Sequence, residues 1–314
     1  MREGSVKDGK HDNVNRVILP LKEYGPVVLL GCVLVVFFAV VPLFKTAVGS
    51  DLVGWTWRSW NTKNDFIHGW AIPFLFIAFV YMAWGSMKKE PVKPMLLGLV
   101  PVIFGILLYV ASARTLQPRI ALIGIPFLIV GGVSYVFGWR VAKHMLFPAF
   151  FWYFAIPVPG IQQATNFLQV AVTQSCYQAG LLVGMDIVNT GNEIRSADDS
   201  WNALDIAAGC SGIRSLMALI MISAIYAYYT QKELWKKAFL FACSLPLALI
   251  ANFFRIFTIL VIAEMGYSDF AAGVYHDWAG LVFFFPIALA GLFGIDRVLN
   301  WKTSRKVVSR RIQG

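Results

Sequence analysis

The segment Ala208-Gly209-Cys210-Ser211-Gly212-Ile213-Arg214-Ser215 lies where a polar stretch of the chain ends and an apolar stretch begins. Residues 186–207 before it are polar, and the apolar residues 211–229 after it have the length of a membrane-spanning helix. A helix is therefore predicted to start at this segment, with Cys210 at its first turn. The free N–H groups and the positive dipole end of that turn favour a thiolate, so Cys210 is a candidate nucleophile.

The composition indicates a multi-pass membrane protein. Of the 314 residues, 58% are hydrophobic and 14% are charged, and the mean hydropathy is +0.65. Soluble domains carry about 25% charged residues, and a soluble domain of this size cannot bury so much apolar surface. We assign the formal net charge of +10 mostly to cytoplasmic loops and not to nucleic-acid binding.

The apolar runs predict an all-α polytopic protein of about eight transmembrane helices. The predicted spans are 26–44, 66–85, 95–111, 120–137, one segment between 143 and 186, 211–229, 238–264 and 278–299. They form one predicted transmembrane domain over 26–300. A basic segment, 1–25, precedes this domain, and a basic tail, 301–314, follows it.

Two segments compete for the fifth span. Segment 145–156 is strongly aromatic but shorter than the ~20 residues that cross a bilayer. Segment 161–184 is long enough but carries polar residues at spacings of three and four, which place them on one helix face. This polar stripe consists of Gln162, Asn166, Gln169 and Thr173. We favour the aromatic segment, extended back toward Trp139, as the span, and the striped segment as an amphipathic helix at the interface or lining a cavity.

The segments on either side of the second span have local signals of their own. Trp55, Trp57 and Trp60 precede that span and predict an aromatic belt at the membrane interface. The polar stretch 186–207 predicts a small extracytoplasmic β-hairpin, because Asn189-Thr190-Gly191-Asn192 is a turn signal between strand-like residues.

The distribution of basic residues predicts the topology. Five clusters of Lys and Arg, at the N-terminus, 88–93, 140–143, 232–237 and the C-terminus, belong in the cytoplasm by the positive-inside rule. The outer-side segments are then 45–65, 112–119, about 157–209 and about 255–277. In this topology Cys210, Arg255, His276 and His68 all lie at the outer ends of spans.

The cysteines predict no metal or cofactor. Cys32, Cys176, Cys210 and Cys243 fit no zinc, iron–sulfur or haem spacing. Cys32 and Cys243 lie inside apolar runs, which leaves Cys176 and Cys210 with access to water.

Arg255 is a functional candidate because it lies in an apolar run. A charge at the centre of a membrane helix costs about 2.5–3.5 kcal/mol on insertion scales. Its guanidinium could stabilise an oxyanion or hold a carboxylate, and the structural alternative is snorkelling to the outer interface. Asn252, three residues earlier, either orients Arg255 or bonds to a neighbouring helix.

His276 and His68 can each act as a base and then as an acid near neutral pH, or can simply lie at the interface. Arg214, four residues after Cys210, adds positive field on the same helix face, and Gly212 allows close approach of a substrate backbone. A cysteine, a histidine and an arginine are sufficient for acyl transfer.

These motifs resemble the exosortase/archaeosortase family. The match comprises segment 208–215, then Asn252-Phe253-Phe254-Arg255-Ile256, a histidine at His276 before the last span, and His68-Gly69 with Ile72-Pro73 early in the chain. The order, spacing and span positions agree from about residue 60 to residue 300.

The resemblance implies a membrane cysteine protease or transpeptidase at the outer side of the cytoplasmic membrane. Family members cleave a C-terminal sorting signal, which consists of a short motif, a transmembrane helix and a basic tail. By motif match Cys210 is the nucleophile, and Arg255 and His276 are the second and third catalytic residues. The remaining candidates are supporting or substrate-binding residues: Arg214, Asn252, His68, Ser211 and Gly212.

The competing interpretation is a transporter or scaffold of an envelope-polysaccharide export system. Arg255 and His276 would then bind an anionic substrate, and Cys210 would be chemically idle. The expected partners of the peptidase are membrane-anchored protein substrates, the lipid bilayer and an envelope polysaccharide or lipid as acceptor, without nucleic acid.

Overall fold

The protein is a mostly helical, multi-pass membrane protein. The computed structural model describes residues 51–61, 66–158, 161–191, 193–201, 204–205 and 212–312, with the isolated positions Cys32 and Val36. In this part of the chain five helical segments are long and apolar enough to cross a membrane: Ile67–Met87, Leu96–Thr115, Pro118–Phe137, Leu234–Glu264 and Gly280–Trp301. Each overlaps a predicted span. Except for Cys32 and Val36, the predicted span 26–44 lies outside the described residues, and the total of eight spans stays a prediction.

The chain divides into two compact units, Met1–Pro157 and Val158–Gly314. The helices of the first unit are α1 (Leu52–Ser59), α2 (Ala71–Met87), α3 (Leu99–Thr115), α4 (Pro118–Phe137), α5 (Trp139–Ala142) and α6 (Leu146–Phe151). Four 3-10 turns adjoin them: Ile67–Trp70, Leu96–Gly98, Lys143–Met145 and Trp152–Ala155.

Helices α3 and α4 pack backbone to backbone through glycines. A Cβ atom on Gly98 would lie 2.4 Å from the backbone nitrogen of Tyr135, and one on Gly131 would lie 2.9 Å from the carbonyl oxygen of Gly98. Further along the same pair of helices, a Cβ atom on Gly124 would lie 2.9 Å from the carbonyl oxygen of Gly105. Small residues of this kind allow the close approach that drives helix association in lipid.

Most of the aromatic segment 145–156 is buried in the first unit, and Leu146 and Phe150 are exposed. Phe151 is fully buried, and the ring of Phe79 lies 5.1 Å from that of Phe147 and 5.0 Å from that of Phe151. Contacts with protein therefore explain much of its apolar character. Neither this segment nor 161–184 is among the five helices above, and the choice between them as fifth span stays a prediction.

Trp60 does not belong to an interfacial belt, which corrects part of that prediction. Trp57 is 62% exposed, but Trp60 is only 7% exposed, and its indole N–H donates to the carbonyl oxygen of Ala155 at 2.8 Å. The carbonyl oxygen of Trp60 in turn accepts a hydrogen bond from Trp70 Nε1 at 2.8 Å. Through these bonds Trp60 links the turn Trp152–Ala155 to the turn Ile67–Trp70.

The second unit contains α7 (Ile161–Leu182), β1 (Ile187–Asn189), β2 (Glu193–Ser196), β3 (Leu204–Asp205), α8 (Gly212–Thr230), α9 (Leu234–Glu264), α10 (Ser268–Phe270), α11 (His276–Ala279) and α12 (Phe285–Ile312). Two π-helical turns, Ala271–Tyr275 and Gly280–Phe284, flank α11. Strand β2 pairs antiparallel with β1 and with β3. The predicted hairpin is confirmed, and β3 is an addition that the sequence pattern did not predict.

Helix α7 packs along α9 in the core of the second unit. Val172 and Cys176 of α7 are buried with Ile256 of α9 and Ile194 of β2. The predicted polar stripe partly enters this core, because Thr173 is fully buried and its hydroxyl donates to the carbonyl oxygen of Gln169 at 3.0 Å. A back-bonded hydroxyl is how a helix accommodates a buried threonine.

Replacing Gly124 by leucine should destabilise the protein, because the new Cβ would meet the backbone of Gly105 and a carbonyl group cannot rotate away. Overpacking of this kind costs about 1–3 kcal/mol, which should lower the melting temperature of the purified protein in detergent. Gly132→Leu in the same helix is the matched control, since a Cβ there meets nothing within 4 Å. Equal losses in the two variants would contradict glycine-mediated packing.

Candidate active site

Helices α8 and α9 form a helical hairpin with a regular register. Only residues 231–233 separate them, and such a short connection joins antiparallel neighbours. Ala227 shares a core cluster with Leu240, and Leu219 shares another with Ala248. The step of eight residues from Ala227 back to Leu219 on α8 thus matches the step of eight residues from Leu240 on to Ala248 on α9.

This register brings the start of α8 level with Arg255. Seven further residues from Leu219 and from Ala248, about 10 Å at 1.5 Å per residue, reach Gly212 on α8 and Arg255 on α9. Cys210 and Ser211, which precede Gly212 in the sequence, lie outside the described residues.

Arg255 is buried within a helix that is long and apolar enough to cross a membrane. Arg255 is only 7% exposed, and its Nη2 donates a hydrogen bond to the carbonyl oxygen of His276 at 3.3 Å. Its Nε has no hydrogen-bond partner in the part of the chain that the structure describes. Because the guanidinium stays charged when buried, this arrangement favours a functional role over snorkelling, which would expose the charge.

Gly280 lies beside the guanidinium of Arg255. A Cβ atom at this position would lie 3.9 Å from both Cζ and Nε of Arg255, so a larger side chain would press on the guanidinium, whose Nε is already buried. Gly280 was not predicted as a site residue, although a lone glycine in an apolar helical run is a signal of packing or close approach.

Asn252 adds a second unpaired group on the same helix. It is 6% exposed, and its Oδ1 has no hydrogen-bond partner among the described residues. Asn252 and Arg255 are three residues apart and so share a helix face. A buried acceptor and a buried donor each cost about 1–3 kcal/mol while unpaired, and a peptide group could satisfy both of them.

His276 begins α11 between the two π-helical turns. Gly273, just before it, has φ −97° and ψ −110°, outside the helical region. π-helical turns are rare in proteins overall, but those that do occur are often found at functional sites. The hydrogen bond from Arg255 engages the main-chain carbonyl of His276, so the two residues meet through the backbone of His276.

Arg214 and His68 are also among the described residues. Arg214 is in the first turn of α8 and is exposed, whereas His68 belongs to the other unit, on the turn before α2. Within the described residues no group of three His, Cys, Asp or Glu side chains could hold a metal ion. The structure therefore brings together Asn252, Arg255 and His276.

Cys176 has no access to water, which corrects the prediction from its sequence context. It is 0% exposed, and its Sγ lies 3.6 Å from the carbonyl oxygen of Phe253. Its helix face packs against α9, a contact that a single-helix pattern does not reveal. The other described cysteines are Cys32, which is exposed, and Cys243, which is partly buried.

The loop between β2 and β3 is organised by Asp198. Its Oδ1 accepts hydrogen bonds from the hydroxyl of Ser196 and from the backbone N–H of Ser200, the latter at 3.0 Å. These bonds, the one from Ser196 foremost, lower the pKa of Asp198 to about 2. The indole N–H of Trp201 donates to Glu264 Oε2 at 3.1 Å, which ties the loop to the C-terminal end of α9.

Asp198→Asn should loosen this loop at neutral pH. The folded pKa lies below the ordinary value, so the ionised carboxylate stabilises the loop above about pH 4 and its contribution disappears as the pH falls toward 2. Hydrogen–deuterium exchange over residues 193–201 should be faster in the variant at pH 6, and the difference should shrink in acid. Asp199→Asn is the control, because the Asp199 side chain is 81% exposed and pairs with Arg195 on the surface. Indistinguishable exchange in the wild type and Asp198→Asn would contradict this role.

Comparison with known protein families adds a finding that does not depend on the geometry. A family model described as transmembrane exosortase matches residues 60–294, which is most of the chain and includes every site residue described above. No curated protein and no solved structure matches the chain.

Proposed function

Because the chain belongs to the transmembrane exosortase family, we propose that it is a cysteine peptidase or transpeptidase that cleaves the C-terminal sorting signal of membrane-anchored proteins. The observation that carries the proposal is the buried Arg255, which contacts His276 and has its Nε unpaired in the described residues, level with the start of α8. A buried charge in an apolar helix is costly and is retained where it has a function. Cys210 precedes α8 in the sequence by two residues.

In the proposed mechanism, the Cys210 thiolate attacks the scissile carbonyl carbon of the sorting signal. The resulting oxyanion accepts hydrogen bonds from Arg255 and from free N–H groups in the first turn of α8. A protonated His276 gives its proton to the departing amine as the C–N bond breaks, which leaves a thioester on Cys210. Water or an acceptor nucleophile then attacks the thioester and releases the cysteine.

Asn252 has a positioning role in this proposal. Its unpaired Oδ1 would accept the N–H of a substrate peptide group, while Arg255 faces the carbonyl side. Arg214 would add positive charge near Cys210, and Ser211 and Gly212 would shape the turn. His68 lies in the first unit, and its supporting role in this reaction stays a prediction.

The proposed setting is the cytoplasmic membrane, with eight spans, both termini in the cytoplasm and the site on the outer side. Support comes from the five described spanning helices and from the distribution of the Lys and Arg clusters. The transmembrane helix of the substrate would dock between spans, and an envelope polysaccharide or a lipid would be the acceptor where the thioester is transferred.

Cys210→Ala should abolish cleavage of a co-expressed protein that carries a sorting signal, because no thioester can form. The readout is the size of the substrate on an immunoblot. Cys243→Ser is the control, since this partly buried thiol on α9 has no part in the mechanism. Undiminished processing by Cys210→Ala would contradict the peptidase and favour the transporter or scaffold, in which Cys210 is idle.

Arg255→Lys should lower kcat by about 10²–10³-fold, the usual cost of removing one oxyanion-stabilising donor. A lysine keeps the positive charge but loses the planar, multiply donating guanidinium. Turnover of a purified sorting-signal substrate measures the effect, and the melting temperature shows whether the variant remains folded. Near-normal turnover in a folded Arg255→Lys protein would contradict this role for Arg255.

A further inference from the structure

His68 in the first unit has no assigned step in the reaction proposed above. Both ring nitrogens, Nδ1 and Nε2, are buried and have no hydrogen-bond partner in the described part of the chain. A neutral imidazole carries one donor and one acceptor nitrogen, and burying both without partners is unfavourable. Such a group indicates that a polar partner is missing.

The surroundings hold His68 in place, and the main chain of Phe154 approaches its ring without a hydrogen bond of normal geometry to either nitrogen. Its turn, Ile67–Trp70, packs directly on an indole, because a Cβ atom on Gly69 would lie 2.4 Å from Cδ1 of Trp60. Trp60 is itself anchored by its hydrogen bond to Ala155. The imidazole lies 5.0 Å from the ring of Phe66.

Two further unpaired donors lie on elements that are linked to the turn of His68 by contacts. Nε1 of Trp152 and Nε of Arg119 are buried and lack partners among the described residues. The turn Trp152–Ala155 contacts both the turn that carries His68 and helix α4, whose first turn carries Arg119. The guanidinium of Arg119 lies 5.5 Å from the ring of Trp55, and Trp55 and Trp152 pack against one hydrophobic cluster.

Two of these groups, His68 and Arg119, lie near the ends of spans, at the depth of lipid headgroups, whereas the Trp152 ring lies 6.3 Å from that of Phe76, further along the span of His68. His68 is in the first turn of the spanning segment Ile67–Met87, and Arg119 is in the first turn of Pro118–Phe137. The single span between them, Leu96–Thr115, runs in the opposite direction, so both segments begin at the same side of the membrane. Tryptophan is enriched at this depth of membrane proteins.

The unpaired nitrogens of Arg119, Trp152 and His68 suit an anion that has several hydrogen-bond acceptor atoms. Arg119 and Trp152 offer only N–H donors at the unpaired atoms, and His68 can offer a third. Asp51, the acid at the start of α1, accepts the capping hydrogen bond from the Gly54 N–H. We propose that this end of the first unit binds the phosphodiester of a lipid headgroup through Arg119, Trp152 and His68, since arginine pairs well with phosphate and the site opens at headgroup depth. The proposal is independent of the peptidase activity.

The test measures binding of dihexanoyl-phosphatidylglycerol to the purified full-length protein in maltoside detergent, by native mass spectrometry and by thermal shift. Dihexanoylglycerol, which lacks the phosphate, is the matched ligand, and inorganic phosphate is the soluble source of the same chemistry. We expect the phospholipid to bind and to raise the melting temperature, and dihexanoylglycerol to do neither.

Two variants and two controls decide the result. Arg119→Gln should weaken phospholipid binding about tenfold or more, and Trp152→Phe, which keeps an aromatic ring but removes the indole N–H and part of the ring volume, about threefold to tenfold. The controls are Arg114→Gln and Trp84→Phe, which change exposed residues of the same unit and should leave the affinity unchanged. Melting without ligand confirms that each variant is folded.

Equal affinity of the wild type, Arg119→Gln and Trp152→Phe for the phospholipid would overturn the proposal, as would equal binding of dihexanoylglycerol. Inorganic phosphate that stabilises the wild type but not Arg119→Gln, with no effect of the phospholipid, would overturn the lipid as the source of the phosphate.

Discussion

The hydrogen bond from Arg255 to the carbonyl of His276 is the interaction on which the second unit depends. A guanidinium remains charged wherever it is placed, so a buried one must find protein dipoles in place of water. The His276 carbonyl supplies one of these dipoles, and it thereby ties α9 to the chain segment that returns through the last helix. The hydrogen bond through Nη2 also fixes the position of the unpaired Nε of the same guanidinium.

The spanning helices were predictable because lipid leaves the backbone little choice. A run of about 20 apolar residues in a bilayer must satisfy its own hydrogen bonds, and a helix does so. The hairpin was predictable for a comparable local reason, since the turn residues 189–192 favour a reversal of the chain. In both cases the deciding physics lies within one short stretch of sequence.

Burial of single residues was not predictable, because it depends on which surfaces meet. Trp60 and Cys176 have sequence contexts that suit exposure, yet one anchors a turn and the other lies in a core. Within the candidate site, helical spacing predicted that Asn252 and Arg255 share a face. It did not reveal that Gly280 would lie against Arg255, or that His68 would belong to a different unit.

The π-helical turn Gly280–Phe284 after His276 has a consequence for how this helix tolerates changes in length. It contains one residue more than an α-helical turn, whereas Ala271–Tyr275 is interrupted by a kink at Gly273. Loss of one residue within Gly280–Phe284 would convert that turn to an ordinary α turn and keep the helix ends on both sides in place. The same deletion inside α12 would instead rotate everything beyond it by about 100°. Single-residue changes in the length of the last helix should therefore be tolerated best within Gly280–Phe284, because they leave α12 in place relative to the rest of the unit.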